Sequence, residues 1–197
     1  MLIVNHRVNT ISRLLEVDQA HGVEIDIRNW SSKLVLNHEP YTDGVDFIDW
    51  LKVCNNPLII LNVKSEGLED KVIEAIKSSG FIGEYFFLDQ SFPFLVRTLE
   101  KGLSDSAVRV SEYESPECLR NLSNKWVWID SHTGNWDFLV SALSIASETS
   151  KKICIASPEL HGRAAEYEIG EIKKILAEFD YLPEAVCTKS PELWKSK

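Results

Sequence analysis

Long hydrophobic runs are missing from this 197-residue chain. No apolar stretch approaches the roughly 20 residues that span a bilayer, which excludes a transmembrane helix. The opening Met1-Leu2-Ile3-Val4-Asn5-His6 has no basic segment, too short an apolar stretch and no small-residue cleavage site, so no secretory leader is expected. Positive charge is scarce as well. With 21 Lys and Arg against 30 Asp and Glu, the net charge is −9. That argues against nucleic acid as a partner, because such binding draws on clustered cations. It leaves a phosphorylated small molecule open, since a bound divalent cation can supply the local positive charge. Cysteines are few: Cys54, Cys118, Cys154 and Cys187 are widely spaced and mostly sit among apolar neighbours. They are read as reduced, buried small hydrophobes, which fits a reducing, cytoplasmic compartment. Low-complexity segments, internal repeats and linkers are also lacking, so residues 1–197 are expected to form one domain around one core.

What is present is an alternation of short β-rich runs and helical patterns from end to end. Leu2–Asn5 is a short apolar strand, followed by helical spacing at Ile11, Leu14 and Leu15. In residues 23–27, Val23, Ile25 and Ile27 fall on one face and Glu24 and Asp26 on the other. Residues 33–37 form a further extended piece, an appendage to that strand. Leu58–Val63 is almost wholly apolar, as a parallel strand buried on both faces should be. Leu68, Val72, Ala75, Ile76 and Ser79 follow a helical stripe that ends at Gly80, a C-cap residue. Further strands are expected at Tyr85–Leu88, Ala107–Val110, Trp126–Ile129, Ile153–Ala156 and Ala185–Cys187. The clearest helix carries Ala165, Ile169, Ile172, Leu176 and Phe179 on one stripe. Eight strands separated by helical segments imply an α/β protein with a parallel sheet, and the count favours a (β/α)₈ TIM barrel. At this length the barrel must be compact, with short loops and no inserted subdomain.

In such a barrel the chemistry stands at the C-terminal ends of the strands. His6 ends the first. Glu24 and Asp26, two apart near the end of the second, point to the same side, inward. His38 ends the extended piece, and Asn62 and Lys64 repeat the two-residue spacing at the end of the next strand. Polar groups facing a barrel axis are costly unless they ligate something or are hydrogen-bonded.

These residues carry a resemblance. His6-Arg7 with Asn9-Thr10, the segment Gly22-Val23-Glu24-Ile25-Asp26-Ile27, the turn Asn37-His38-Glu39-Pro40 and the strand end Leu61-Asn62-Val63-Lys64 resemble the opening signature of glycerophosphodiester phosphodiesterases. Phe87-Leu88-Asp89-Gln90-Ser91-Phe92 is similar to that family's fourth strand, and Cys187-Thr188-Lys189-Ser190-Pro191 to its closing turn. The resemblance is specific over residues 1–65 and diffuse beyond. It implies a metal-dependent phosphodiester hydrolase, with a place in lipid metabolism. His6 and His38 would be the general acid and base, and Glu24, Asp26 and Asn62 the holders of a divalent metal, Mg²⁺ or Ca²⁺. Arg7 and Lys64 would contact the substrate phosphate. The implied substrate is a glycerophosphodiester or related polyol phosphodiester, cleaved through a cyclic phosphate. Two departures are visible: the family's third metal ligand is acidic where this chain has Asn62, and the interval between His38 and Lys64 is too short for the small domain the family often inserts there.

Two rival readings remain at this point. One is a non-catalytic barrel whose degenerate metal site binds a phosphorylated ligand. The other is an unrelated sugar-phosphate barrel enzyme, which usually has glycine-rich phosphate loops after strands seven and eight; Ser157-Pro158 and Thr188-Lys189-Ser190-Pro191 match these poorly. His132, His161 and Arg163 fall in loops that follow strands and are read first as solvated surface, second as substrate contacts. His21 precedes its strand and is read as structural. Trp126 and Trp128 are read as core.

Overall fold

Strict alternation in the second strand and the almost wholly apolar Leu58–Val63 set the pattern of the computed structural model, which describes residues 1–195. The chain divides into two compact units, Asn5–Leu103 and Met1–Val4 together with Ser104 onward. In chain order the strands are β1 (Leu2–Asn5), β2 (Gly22–Trp30), β3 (Lys33–Leu36), β4 (Val45–Asp46), β5 (Leu58–Val63), β6 (Glu84–Leu88), β7 (Ala107–Val110), β8 (Trp126–Ile129), β9 (Lys152–Ala156) and β10 (Ala185–Thr188). The α-helices are α1 (Ile11–Glu16), α2 (Phe47–Leu51), α3 (Glu69–Ser79), α4 (Phe92–Glu100), α5 (Leu139–Glu148), α6 (Ala165–Glu178) and α7 (Pro191–Trp194).

In the Asn5–Leu103 unit, β5 runs parallel to both β2 and β6, as strands joined through helices must. β3 folds back antiparallel on β2, and β4 antiparallel on β3. The extended piece at residues 33–37 is thus an appendage, and it prolongs β2 to Trp30, beyond the expected end at Ile27. The two-residue β4 was not expected. It is too short to carry a period of its own and is followed at once by α2, whose N-terminus Asp46 caps through its side chain. The interval between His38 and Lys64 therefore holds β4 and α2. Val23, Ile25, Ile27, Ile59, Leu61 and Val63 share a core with Phe47, Trp50, Val72, Ile73 and Ile76. Each such side chain contributes roughly 1.5–3 kcal/mol by leaving water. α3 ends at Gly80 with φ +76°, as its sequence implies. Gly44 has a different reason: a Cβ there would lie 2.4 Å from the Leu36 carbonyl oxygen, so β3 and the approach to β4 can close only on glycine.

In the other unit, β7, β8, β9 and β10 pair in parallel sequence. β1 lies beside β10, with the Leu2 N–H donating to the Glu184 carbonyl at 2.7 Å. Trp126 and Trp128 are buried core, as read from their alternation. On α6, Ile169, Ile172 and Leu176 are buried, but Phe179 is 37% exposed: the helix ends at Glu178, so residue 179 leaves the stripe. Cys54, Cys154 and Cys187 are buried thiols; Cys118 is only half-buried, because it sits on a short 3₁₀ turn (Pro116–Asn121) rather than on a strand. Among the described residues no helix is long and apolar enough to cross a membrane.

Candidate active site

The alternation of β2 that sends Val23, Ile25 and Ile27 into the core turns Glu24 and Asp26 to the opposite face. Both are buried there, with 0% and 1% exposure. β5 lies beside them with Asp26 opposite Asn62, and the Asn62 side-chain amide donates to Glu24 Oε1 at 2.9 Å. Parallel register alone therefore gathers the three residues expected to hold a metal. Burial pushes the Glu24 carboxyl up to about 7, and the neighbouring Asp26 charge adds to the rise. The Arg7 backbone N–H, the Asn62 amide and the Lys64 charge oppose it.

Basic groups surround this pair. His6 Nε2 lies 3.7 Å from Glu24 Oε2. Arg7 is held in the left-handed region at φ +54°, an uncommon setting for a non-glycine residue that costs of order 1–3 kcal/mol. It aims the Arg7 N–H at Glu24 Oε2, 2.7 Å away, while Nε stands 3.6 Å from Asp26 Oδ2. Lys64 Nζ lies 3.6 Å from Asp26 Oδ1 and 3.5 Å from Asp89 Oδ2. His38 is set differently: its ring pairs through Nδ1 with Glu39 at 2.7 Å rather than with the Glu24–Asp26 pair. Its main chain is nonetheless tied to β5, because the Arg28 guanidinium donates to the His38 carbonyl at 2.8 and 3.1 Å and to the Lys64 carbonyl at 2.9 Å. His21 is structural as expected, meeting the Asn5 amide at 3.1 Å.

Three residues with clear parts here had no assigned role in the sequence reading. Asn9 brackets Asp26, its amide donating to Oδ2 and its carbonyl accepting the Asp26 N–H, both at 2.8 Å. Arg28 fastens the His38 segment. Asp89, at φ +59°, carries the second carboxylate on Lys64. Only their place inside the quoted motifs, or for Arg28 its position on β2 between two such motifs, signalled them.

Two oxygens test whether the residues suit a cation. Asp26 Oδ1 and Asn62 Oδ1 are buried and accept no hydrogen bond. A buried acceptor left in that state costs free energy comparable to a lost hydrogen bond. Together with the Glu24 carboxylate they form an all-oxygen set of the kind that hard divalent cations prefer. The residues fit the group. In the other unit a different set appears: Asp130, His132 and His161 each offer a ligand atom, all within 4.8 Å of one another.

Similarity to known proteins enters only through structure, since no family model and no curated protein sequence matches the chain. A glycerophosphodiester phosphodiesterase from Thermotoga maritima aligns with TM-score 0.70 and 15% identity over 98% of this chain and 96% of that one. An Oleispira antarctica phosphodiesterase, solved in complex with the product sn-glycerol-3-phosphate, aligns with TM-score 0.67 and 17% identity over 98% and 94%. The fold is that of α/β TIM-barrel proteins. The tryptophan synthase alpha subunit of Campylobacter jejuni also aligns, with TM-score 0.60 and 14% identity over 100% of this chain and 90% of that chain. The fold thus spans unlike chemistries, and the function has to be argued from the residues.

Proposed function

We propose that the chain, taken over residues 1–197 as one barrel, is a metal-dependent phosphodiesterase of the glycerophosphodiester type. Its substrate is a small phosphodiester whose alcohol carries a hydroxyl adjacent to the ester. The observation that carries this reading is the pair of buried oxygens on Asp26 and Asn62 that accept no hydrogen bond, beside Glu24 and ringed by His6, Arg7 and Lys64. Glu24, Asp26 and Asn62 would hold a divalent cation, Mg²⁺ or Ca²⁺, which when bound supplies positive charge toward the phosphoryl oxygens. Arg7 and Lys64 add the cationic donors that a phosphate needs.

The two histidines divide the proton transfers. The Glu39 carboxylate, held below its usual range by the His38 hydrogen bond, can only accept, so His38 carries its proton on Nδ1 and presents a bare Nε2 when neutral. That makes His38 the base that takes the proton from the attacking hydroxyl. His6, 3.7 Å from the Glu24 carboxyl, takes the other role and donates a proton to the leaving alcohol as the P–O bond breaks. Water then opens the cyclic phosphate with the roles reversed. A cytoplasmic location goes with this reading, given four cysteines that are all free thiols.

The test is a screen of phosphodiesters, glycerophosphodiesters among them, with Mg²⁺, Mn²⁺ and Ca²⁺ added in turn to chelator-treated protein. Cation-dependent release of the alcohol, lost in His6→Ala and His38→Ala, is expected. No turnover of any phosphodiester with any of the three ions would leave the non-catalytic pocket as the better account.

A further inference from the structure

We propose that Asp130, His132 and His161 form a second metal site, built for a borderline transition dication such as Zn²⁺ and unrelated to the all-oxygen set on β2 and β5. The three residues follow the ends of β8 and β9. Asp130 is the first residue past β8 and is buried, while His132 and His161 are exposed. Their ligand atoms all lie within 4.8 Å of one another. His161 Nε2 stands 2.6 Å from Asp130 Oδ1, and the two imidazole rings meet edge to face at 5.2 Å.

The surroundings fix each donor. Arg109 pairs with Asp130 Oδ2, and the Trp128 indole N–H approaches the same oxygen at 3.4 Å. Oδ2 is thereby occupied and Oδ1 is the oxygen turned toward the histidines. Such orientation by outer partners is what metal ligands require. The His132 segment is held by Glu112, whose carboxylate accepts the His132 N–H at 3.0 Å and the Thr133 N–H and hydroxyl at 2.6 Å. His161 closes the 3₁₀ turn Pro158–His161, and Gly162 follows at φ +74°. Arg163 joins the two segments by donating to the His132 carbonyl at 3.3 Å.

Donor chemistry selects the ion. Two imidazole nitrogens and one carboxylate oxygen suit Zn²⁺ and its transition-metal neighbours, whereas Mg²⁺ and Ca²⁺ want oxygen throughout. The hydrogen bond between His161 and Asp130 marks where the ion belongs: it replaces the shared proton, and the two donor atoms part by somewhat under about 1 Å to reach tetrahedral spacing. Three protein ligands leave a fourth position for water or an anionic ligand. Because Arg109 already offsets part of the Asp130 charge, the site binds less tightly than a closed structural site.

The experiment titrates Zn²⁺ into the full, untagged chain against a chromogenic zinc indicator, in the parent and in a Glu24→Gln/Asp26→Asn background that disables the first site. One equivalent of Zn²⁺ is expected in both, uncontested by excess Mg²⁺ or Ca²⁺. His132→Ala and His161→Gln should each lower the affinity roughly tenfold or more. Co²⁺ should give visible d–d bands that His161→Gln removes. His132 hydrogen-bonds to Glu112 and Arg163 through its main chain, so His132→Ala keeps the test decisive if His161→Gln folds poorly. Zinc affinity unchanged by His132→Ala would overturn the proposal, as would zinc binding that vanishes in the Glu24→Gln/Asp26→Asn background. Failure of the phosphodiester screen would leave this result untouched.

Discussion

If the proposed site holds a cation between β2 and β5, Asn62 sets how much negative charge surrounds it. Its amide donates to Glu24 and its oxygen lacks a donor, so it offers a ligand atom without a charge. Asn62→Glu adds that charge at the same register position opposite Asp26. Calorimetric titration with Mg²⁺ or Ca²⁺ should then show affinity rising by roughly tenfold or more; unchanged affinity in a folded variant would remove residue 62 from the ligand set. Glu24 governs the cation-free protein. Its carboxyl sits at about 7 in the fold against 4.5 as its ordinary value, so the folded state holds this proton more tightly than the unfolded chain. The associated stability is present below about pH 4.5 and is lost as pH rises through about 7. Denaturant titrations in chelator at several pH values should show that slope in the parent and its flattening in Glu24→Gln. An identical slope in both would place the titration elsewhere.

At the level of elements, Arg28 shows what a strand can hold together beyond its ladder. From β2 it reaches the carbonyls of both His38 and Lys64. Arg28→Ala should cost about 1–3 kcal/mol of stability, the scale for buried acceptors that lose a charged donor. It should also reduce turnover by loosening the His38 segment, while cation affinity stays as in the parent, because its guanidinium donates to the His38 and Lys64 carbonyls rather than to the Glu24, Asp26 and Asn62 side chains. Paired turnover and binding measurements separate these; a parallel fall in affinity would mean that Arg28 shapes the cation site itself. The elements themselves were largely legible. The period of two in residues 23–27 and the apolar run at 58–63 each write a strand directly, and together they place Glu24, Asp26 and Asn62 on one face. What was not legible is whatever depends on tertiary partners: the two-residue β4, which has no period; the exposure of Phe179, which turns on where α6 stops; and the roles of Asn9 and Asp89, which exist only once β2 and β6 have been set beside their neighbours. His132 and His161 were read singly, as solvated surface or substrate contacts; their grouping with Asp130 was not legible for the same reason, since 31 residues separate Asp130 from His161 and only the pairing of β8 with β9 brings them together.

For the molecule as a whole, the fold narrows the chemistry less than the charges do. Phosphodiesterases and a tryptophan synthase alpha subunit both overlay nearly all of the chain, so the barrel is compatible with every reading considered. The difference lies in what a divalent cation does to stability. A phosphodiesterase site of the kind argued above gains a compensating charge where Glu24 and Asp26 are buried side by side, and the gain appears as resistance to unfolding. At a cation concentration of about 100 times Kd the stabilisation is about 2.7 kcal/mol, which for a chain of this size raises Tm by several degrees, at roughly 2–4 °C per kcal/mol. Thermal unfolding in Mg²⁺ or Ca²⁺ should therefore be later than in chelator, with the increment abolished by Asp26→Asn and kept by His132→Ala. A sugar-phosphate enzyme that reads its ligand through backbone loops, or a pocket that has lost its cation, shows no increment in the parent. An increment that survives Asp26→Asn but disappears in His132→Ala would move the hard cation onto the Asp130 cluster and leave β2 and β5 without one.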